Sequence, residues 1–72
     1  MEHPGIILKK LRESRGLTER ALIEKLYSNK KQHDFNIIMI KAWERGVTNL
    51  YNDLLIRIAN FFNVSIAYLF GF

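Results

Sequence analysis

The apolar residues of this chain recur at helical spacing, and each such pattern is stopped after a few turns. Gly16, Gly46 and the segment Asn63-Val64-Ser65 are the stops, because these residue types favour the conformations that end a helix. No apolar–polar alternation is long enough to predict a strand. We therefore expect an all-α chain with five helices near residues 5–15, 19–27, 37–45, 50–62 and 66–70.

Helices this short are stabilised mainly by packing against one another. A chain of 72 residues forms one domain, residues 1–72, whose core is marginal. The sequence has no cysteine, which excludes disulfides, a thiolate nucleophile and cysteine-bound zinc. No apolar run approaches the ~20 residues of a membrane span, and no signal-peptide pattern opens the chain. We expect a cytoplasmic protein.

The segment from Asn36 to Gly46 is the best-defined predicted helix. Asn36 is a good N-cap residue, and Gly46 suits the position just past a helix end. Ile40 and Trp43 stand three residues apart and are expected to pack into the core. The side of this helix that faces away from the core is expected to consist of Ile38, Lys41, Ala42 and Arg45.

Other predicted boundaries follow from side chains that favour caps and turns. Thr18 is expected to cap the second helix and Ser65 the fifth, while Asn49 or Asn52 caps the fourth. Residues 28–35 are polar and lack helical periodicity, which predicts a loop. Phe35 is expected to anchor the end of this loop in the core.

Charge is distributed unevenly along the chain. The net charge is +4 and the pI is about 9.7, which makes an anionic partner plausible. Up to Arg45 there are ten Lys or Arg against six Asp or Glu, whereas Gly46 onward holds only Arg57 and Asp53. The excess positive charge therefore surrounds the third helix, and the last third suits burial or self-association.

Catalysis and metal binding find little support. His3 lies near the terminus and His33 in the polar segment, and neither has a histidine four residues away. His33 and Asp34 are adjacent, so they do not converge on one ligand. The sequence also lacks a glycine-rich phosphate loop and a nucleophile elbow. We expect neither an enzyme nor a bound metal or cofactor.

Short motifs along the chain carry a family resemblance. They are Leu8-x-x-Leu-Arg12, Gly16-Leu-Thr18, Ala21-Leu-Ile-Glu-Lys-Leu26, Ile40-x-x-Trp-Glu-Arg-Gly46, Leu55-x-x-Ile-Ala59 and Asn63-Val-Ser-x-x-Tyr-Leu69. In this order and spacing, over about residues 6 to 70, they resemble the phage repressor/Cro type (XRE family) of helix-turn-helix domains. The resemblance implies a compact five-helix repressor-like fold that binds double-stranded DNA. It also implies a bacterial or phage-encoded protein, which associates with the nucleoid when bound.

This chain departs from the family in the link before its third helix, which is about seven residues longer than the compact turn. The resemblance assigns the base-reading positions to Ile37, Ile38, Lys41 and Ala42. The family usually has polar or basic side chains at these positions, so this is a second departure. Isoleucines cannot hydrogen-bond base edges but can pack on thymine methyl groups. Alternatively, Ile37 and Ile38 contact protein, either a partner or the core beneath the long loop.

The resemblance also assigns phosphate contacts. Thr18 and Arg20 lie at the start of the second helix and Arg45 at the end of the third, where backbone N–H groups and basic side chains meet phosphate. Glu19 stands where the family usually carries Gln, and an acid facing phosphate is unfavourable. Lys30 and Lys31 are either further phosphate contacts or a solvated loop tip.

In relatives, the residues matching Arg12 and Glu44 form an ion pair between the first and third helices. We expect the same pair here, with a structural role. If it is buried, loss of Arg12 strands the charge of Glu44 at a cost of roughly 3–5 kcal/mol. An exposed pair is worth under ~1 kcal/mol.

The resemblance implies a transcriptional regulator, acting as a repressor and homodimer on a palindromic operator. The C-terminal aromatic residues either form the dimer contact or close the monomer's core; they are Phe61, Tyr68, Phe70 and Phe72. The alternative function is a helix-turn-helix scaffold that docks a protein through the Ile37/Ile38 face. No small-molecule substrate is indicated.

Overall fold

The computed structural model describes residues 3–72, and within that range the regular secondary structure consists of helices without strands. The all-α prediction is confirmed. The helices are α1 (Pro4–Ser14), α2 (Glu19–Leu26), α3 (His33–Glu44), α4 (Asn52–Phe62) and α5 (Ile66–Leu69). A short 3-10 helix, Lys30–Gln32, leads directly into α3. None of the helices among residues 3–72 is long and apolar enough to cross a membrane.

Helix α3 occupies the middle of the fold. It packs against α1 and α2, while α4 packs against α2 and α5, and α5 returns to α1. Each of these helices contributes its apolar side to a shared core, as the spacing predicted. Its most completely buried side chains are Leu8, Leu22, Ile23, Tyr27, Ile40, Trp43, Leu54, Ile58 and Leu69.

Four helices end in the same way, on a residue in the left-handed conformation. Gly16, Gly46, Asn63 and Gly71 have φ angles of 66°, 78°, 55° and 90°. After Gly46, the Val47 N–H donates to the Ala42 carbonyl over 3.0 Å, and the other three ends form the matching bond. This Schellman arrangement satisfies carbonyl groups that the helix leaves open. The predicted stops at Gly16 and Gly46 are confirmed.

The caps of two helices also agree with prediction. Thr18 Oγ1 accepts from the Ala21 N–H at the start of α2, and Ser65 Oγ accepts from the Tyr68 N–H at the start of α5. The predicted asparagine cap of α4 is wrong. Tyr51 holds that position without a side-chain cap, and α4 begins at Asn52.

The start of α3 was predicted four residues too late, and residues 30–35 of the predicted loop 28–35 are helical. Asn29 caps the 3-10 helix by accepting from the Lys31 N–H, so the chain is helical before Asn36 is reached. Asn36 therefore lies inside α3, buried, and its side-chain amide donates to the Gln32 carbonyl over 2.6 Å. Phe35 is 59% exposed and does not anchor in the core, because the helix turns it outward.

Candidate nucleic-acid interface

Arg12 of α1 and Glu44 of α3 form a two-pronged ion pair. Arg12 Nε donates to Glu44 Oε2 and Arg12 Nη2 to Glu44 Oε1, both over 2.8 Å. The two side chains are only 10% and 4% exposed, so the pair is the buried one of the two expected alternatives. It ties the C-terminal end of α3 to α1.

The surroundings of this pair add a third hydrogen bond and shift its acid–base properties. Arg12 Nη1 donates to the Leu17 carbonyl over 2.7 Å, between α1 and α2. The hydrogen bond to Glu44 raises the pKa of Arg12. Burial raises the pKa of Glu44 above its ordinary range, although Arg12 opposes that rise. Arg12 thus joins α1, the link between α1 and α2, and α3.

A second contact between α1 and α3 was not foreseen from the sequence. Gly5 is buried against the backbone of α3, and a Cβ atom added there would lie 1.8 Å from the Trp43 carbonyl oxygen. Only a residue without a side chain allows this approach. The available signal was a glycine placed within the first turn of a predicted helix, where most residues are better helix formers.

The exposed side of α3 carries three of the predicted outward residues. Ile38 is 63% exposed, and Lys41 and Arg45 are also exposed. The three are spaced by three and four residues, so they follow one side of the helix. Ala42 is half-buried at the margin of this row.

Ile37 was predicted as a base-reading residue, and its position contradicts that role. Its side chain is 5% exposed and belongs to the core. Because α3 begins at His33, Ile37 stands three residues before Ile40 on the buried side of the helix. The alternative that Ile37 contacts the protein's own core is the one observed.

Lys41 is not free on this surface. Its Nζ atom lies 2.9 Å from Glu19 Oε1, at the first residue of α2. Burial alone would raise the pKa of Glu19, but the hydrogen bond and charge of Lys41 outweigh burial and hold that pKa below its ordinary value. Glu19 therefore carries a full negative charge at neutral pH. Its carboxylate is turned towards Lys41.

Residues predicted to contact phosphate lie around this row but in separate places. Thr18 is the α2 cap, and Arg20 is exposed beside it, 3.9 Å from Asp34 of α3. Arg45 borders a surface groove of about 380 Å³ together with Lys9 and the two ion pairs. Lys30 borders a different groove with Arg20, and the adjacent Lys31 is exposed on the same 3-10 helix.

The long link before α3 is held by a polar network that the sequence did not reveal. The Tyr27 hydroxyl donates to Asp53 over 2.9 Å and lies 3.1 Å from the Tyr51 hydroxyl. Tyr51 in turn donates to the side-chain oxygen of Asn36. Arg57 lies 4.3 Å from the centre of the Tyr27 ring and donates to Asp53. The network joins α3, α4 and the end of α2.

Burial and hydrogen bonds in this network shift the pKa values of Tyr27 and Asp53. Burial raises the pKa of Tyr27 far above its ordinary value, and its bonds to Tyr51 and Asp53 raise it further. The hydrogen bond from Tyr27, with that from Arg57, lowers the pKa of Asp53. The neutral phenol and the ionised carboxylate are thus the forms that the fold favours.

The C-terminal aromatic residues divide between core and surface. Phe70 packs edge-on against Trp43 with ring centres 5.8 Å apart, and Phe61 packs against Phe62 at 5.0 Å. Tyr68 is exposed and Phe72 is 93% exposed. Ile66 is also exposed because α5 is a single turn.

His33, considered for metal binding, makes a local contact. Its Nε2 atom lies 2.7 Å from the Tyr27 carbonyl oxygen, which joins the start of α3 to the end of α2. Across residues 3–72, no cluster of three His, Asp or Glu side chains is arranged to hold a metal ion.

Comparisons of the chain with protein-family models, with curated proteins and with solved structures found no significant match.

Proposed function

We propose that this protein is a sequence-specific DNA-binding transcriptional regulator with a repressor-like helix-turn-helix fold, in which α3 enters the major groove. The observation that carries the proposal is the exposed row of Ile38, Lys41 and Arg45 along α3, beside the N-terminus of α2. A helix with one buried side and one exposed basic and apolar side is what major-groove reading requires.

The buried ion pair supports this proposal through geometry. A reading helix must be presented to the groove at a fixed angle, since small displacements of its side chains lose base contacts. Arg12 and Glu44 fix the end of α3, and the close approach at Gly5 fixes its distance from α1. The ion pair borders the same groove as Lys41 and Arg45, so it fixes α3 close to its exposed row.

The base-reading set is revised by the position of Ile37. Ile38 is available to pack on thymine methyl groups, and Lys41 is available to donate hydrogen bonds to base edges. Ala42, at the margin of the row, is suited to a short-range contact with a methyl group. Ile37 supports these residues from the core and does not read.

Phosphate contacts are assigned to the flanks of the row. The first N–H groups of α2 after Thr18 have no partner within the helix and suit a phosphate oxygen. Arg20, Arg45, Lys30 and Lys31 supply the positive charge. One such module buries a modest interface, so we propose that two copies bind an inverted repeat and repress by occupying it.

Selection of bound sequences from a pool of random DNA duplexes tests this proposal. We expect an inverted repeat that contains thymines, with half-sites about one helical turn apart, and affinity that falls steeply with salt. The variant Arg45→Ala should weaken binding to all sequences and reduce the salt slope by about one. The exposed Lys25→Ala on α2 serves as the matched control and should change neither. Failure to enrich any sequence would contradict the proposal.

A second candidate is a protein-docking module, favoured by two exposed apolar residues on α3. Phe35 and Ile38 are 59% and 63% exposed and stand three residues apart, so they form an apolar surface where Ile37/Ile38 was predicted. Apolar docking depends weakly on salt, whereas phosphate binding depends strongly on it. The salt titration therefore separates the two functions.

A further inference from the structure

The ion pair between Glu19 and Lys41 joins the start of α2 to the exposed row of α3. Its two atoms, Glu19 Oε1 and Lys41 Nζ, are 2.9 Å apart. The side chain of Glu19 is 22% exposed and that of Lys41 is 54% exposed, so the carboxylate lies beneath the ammonium group. The Lys41 ammonium group is therefore accessible from solvent, and the Glu19 carboxylate lies between it and the rest of the protein.

Glu19 lies close to the buried pair behind it. Its carboxylate feels the charge of Arg12 and lies beside that of Glu44, and all three side chains border the same groove as Lys41. Along this groove the charged groups are arranged in the order Arg12, Glu44, Glu19 and Lys41. A lysine normally moves freely on its four-carbon stem, but this arrangement restricts where the ammonium group can lie.

The remaining hydrogen-bonding capacity of Lys41 limits what it can recognise. An ammonium group has three donors and no acceptor. One donor is used by Glu19, which leaves two that can point away from the protein. In the major groove, guanine alone presents two neighbouring acceptors, N7 and O6, whereas adenine presents one acceptor and one donor and thymine one acceptor and a methyl group.

We propose that Lys41 selects a guanine in each half-site and that Glu19 is a positioning residue for it. This inference rests on the proposed DNA-binding function. Glu19 keeps the ammonium group from turning towards the nearest phosphate, where it would add affinity without sequence information. The carboxylate also repels the DNA backbone, so Glu19 lowers affinity for DNA in general while it sharpens the choice of base.

The test measures base preference and general affinity separately. The site enriched by the wild-type protein is synthesised with each base at every position, and binding is measured by fluorescence anisotropy for wild type, Lys41→Gln, Glu19→Gln and Glu19→Asp. Lys25→Gln, on the exposed surface of α2, is the matched control. Circular dichroism at the binding temperature establishes that each variant is folded.

We expect wild type to prefer guanine over adenine at one position per half-site by roughly tenfold or more. Lys41→Gln should reverse this preference to adenine, because glutamine offers one donor and one acceptor to that base. Glu19→Gln should reduce the preference severalfold and bind random duplex at least as well as wild type. Glu19→Asp should retain part of the preference, and Lys25→Gln all of it.

Each contrary result has a defined meaning. If an operator is enriched but Lys41→Gln leaves every base preference unchanged, the guanine assignment is overturned while the proposed DNA-binding function stands. If Glu19→Gln weakens binding to all sequences equally, its role is structural and the positioning assignment is overturned. If wild type enriches no sequence, the proposed function fails and this inference fails with it.

Discussion

Arg12 holds three separate parts of this fold together: α1, the link after it and α3. It pairs with Glu44 and donates to the Leu17 carbonyl, almost out of contact with water. We expect Arg12→Ala to lower the free energy of unfolding by roughly 3–5 kcal/mol, because the carboxylate of Glu44 is left buried without its partner. Denaturant titration followed by circular dichroism measures the loss.

The double variant Arg12→Met with Glu44→Leu is the control for this explanation. It removes both charges and fills the space with apolar side chains, so it should recover much of the lost stability. Recovery of less than a fifth of the loss would show that packing around Arg12, and not the stranded charge, explains the effect.

Gly5 is the second residue with a large expected effect. Alanine is the better helix former by about 1 kcal/mol, yet its methyl group would meet the Trp43 carbonyl oxygen. We expect Gly5→Ala to destabilise the protein by about 1–3 kcal/mol or more, since α1 must move away from α3. Thermal melting of Gly5→Ala beside the exposed Asn60→Ala in α4 checks this. A melting temperature raised in both variants would contradict the close contact.

At the scale of the elements, the sequence predicted what depends on local pattern. The five helices, the glycine stops and the caps at Thr18 and Ser65 all follow from spacing and side-chain type. The prediction of Asn36 as a helix cap was wrong because an asparagine amide can also form its hydrogen bonds inside a helix. Here the amide is bonded to the Gln32 carbonyl and the Tyr51 hydroxyl. Those partners come from two different segments, and periodicity contains no information about them.

The candidate site was predictable to a similar extent. The family resemblance at Arg12 and Glu44 predicted the ion pair that the structure contains, and helical spacing placed Ile38, Lys41 and Arg45 on one exposed side. The burial of Ile37 depends on where α3 begins, and that boundary depends on the 3-10 helix before it. The pairing of Glu19 with Lys41 depends on the packing of α2 against α3, which no local pattern specifies.

The polar network around the long link should make stability depend on alkaline pH. The pKa of Tyr27 is raised in the folded protein, so the network's contribution is complete below the ordinary tyrosine pKa of about 10. It is lost progressively as pH rises above that value, because the unfolded chain then releases the proton first. We expect the stability advantage of wild type over Tyr27→Phe to shrink as pH rises from 9 to about 11.

Urea unfolding of both proteins across this range measures the difference, in which titration of the other tyrosines and the lysines cancels. Tyr68→Phe, which alters an exposed tyrosine outside the network, is the matched control. If the difference in stability between wild type and Tyr27→Phe stays constant over this pH range, the Tyr27 phenol titrates equally in the folded and unfolded chains.

For the whole molecule, the dimensions agree with the proposed mode of binding. The fold measures 35 × 24 × 23 Å. Half-sites one helical turn apart lie about 34–36 Å from centre to centre, so two copies side by side can each reach a major groove. The surface after Gly46 carries only Arg57 and Asp53 as charged groups, which lets two copies meet without strong repulsion.

We therefore expect two copies per inverted repeat, with contact between them through the exposed residues of α5. Ile66→Ser combined with Tyr68→Ser should leave the fold intact and raise the protein concentration needed to fill the operator about tenfold or more. Sedimentation velocity on protein–DNA mixtures gives the stoichiometry. Ile56→Ser on α4 is the control, and if that variant alone weakens binding, the contact between copies lies on α4 instead.

The single tryptophan of the chain lies within α3, next to Glu44, and is 2% exposed against the ring of Phe70. Its side chain faces the core, away from the row of Ile38, Lys41 and Arg45. The protein therefore carries an intrinsic optical reporter inside its central helix. Emission should move to longer wavelength when the fold opens and stay almost constant when a ligand covers the exposed row, so one spectrum can distinguish unfolding from binding.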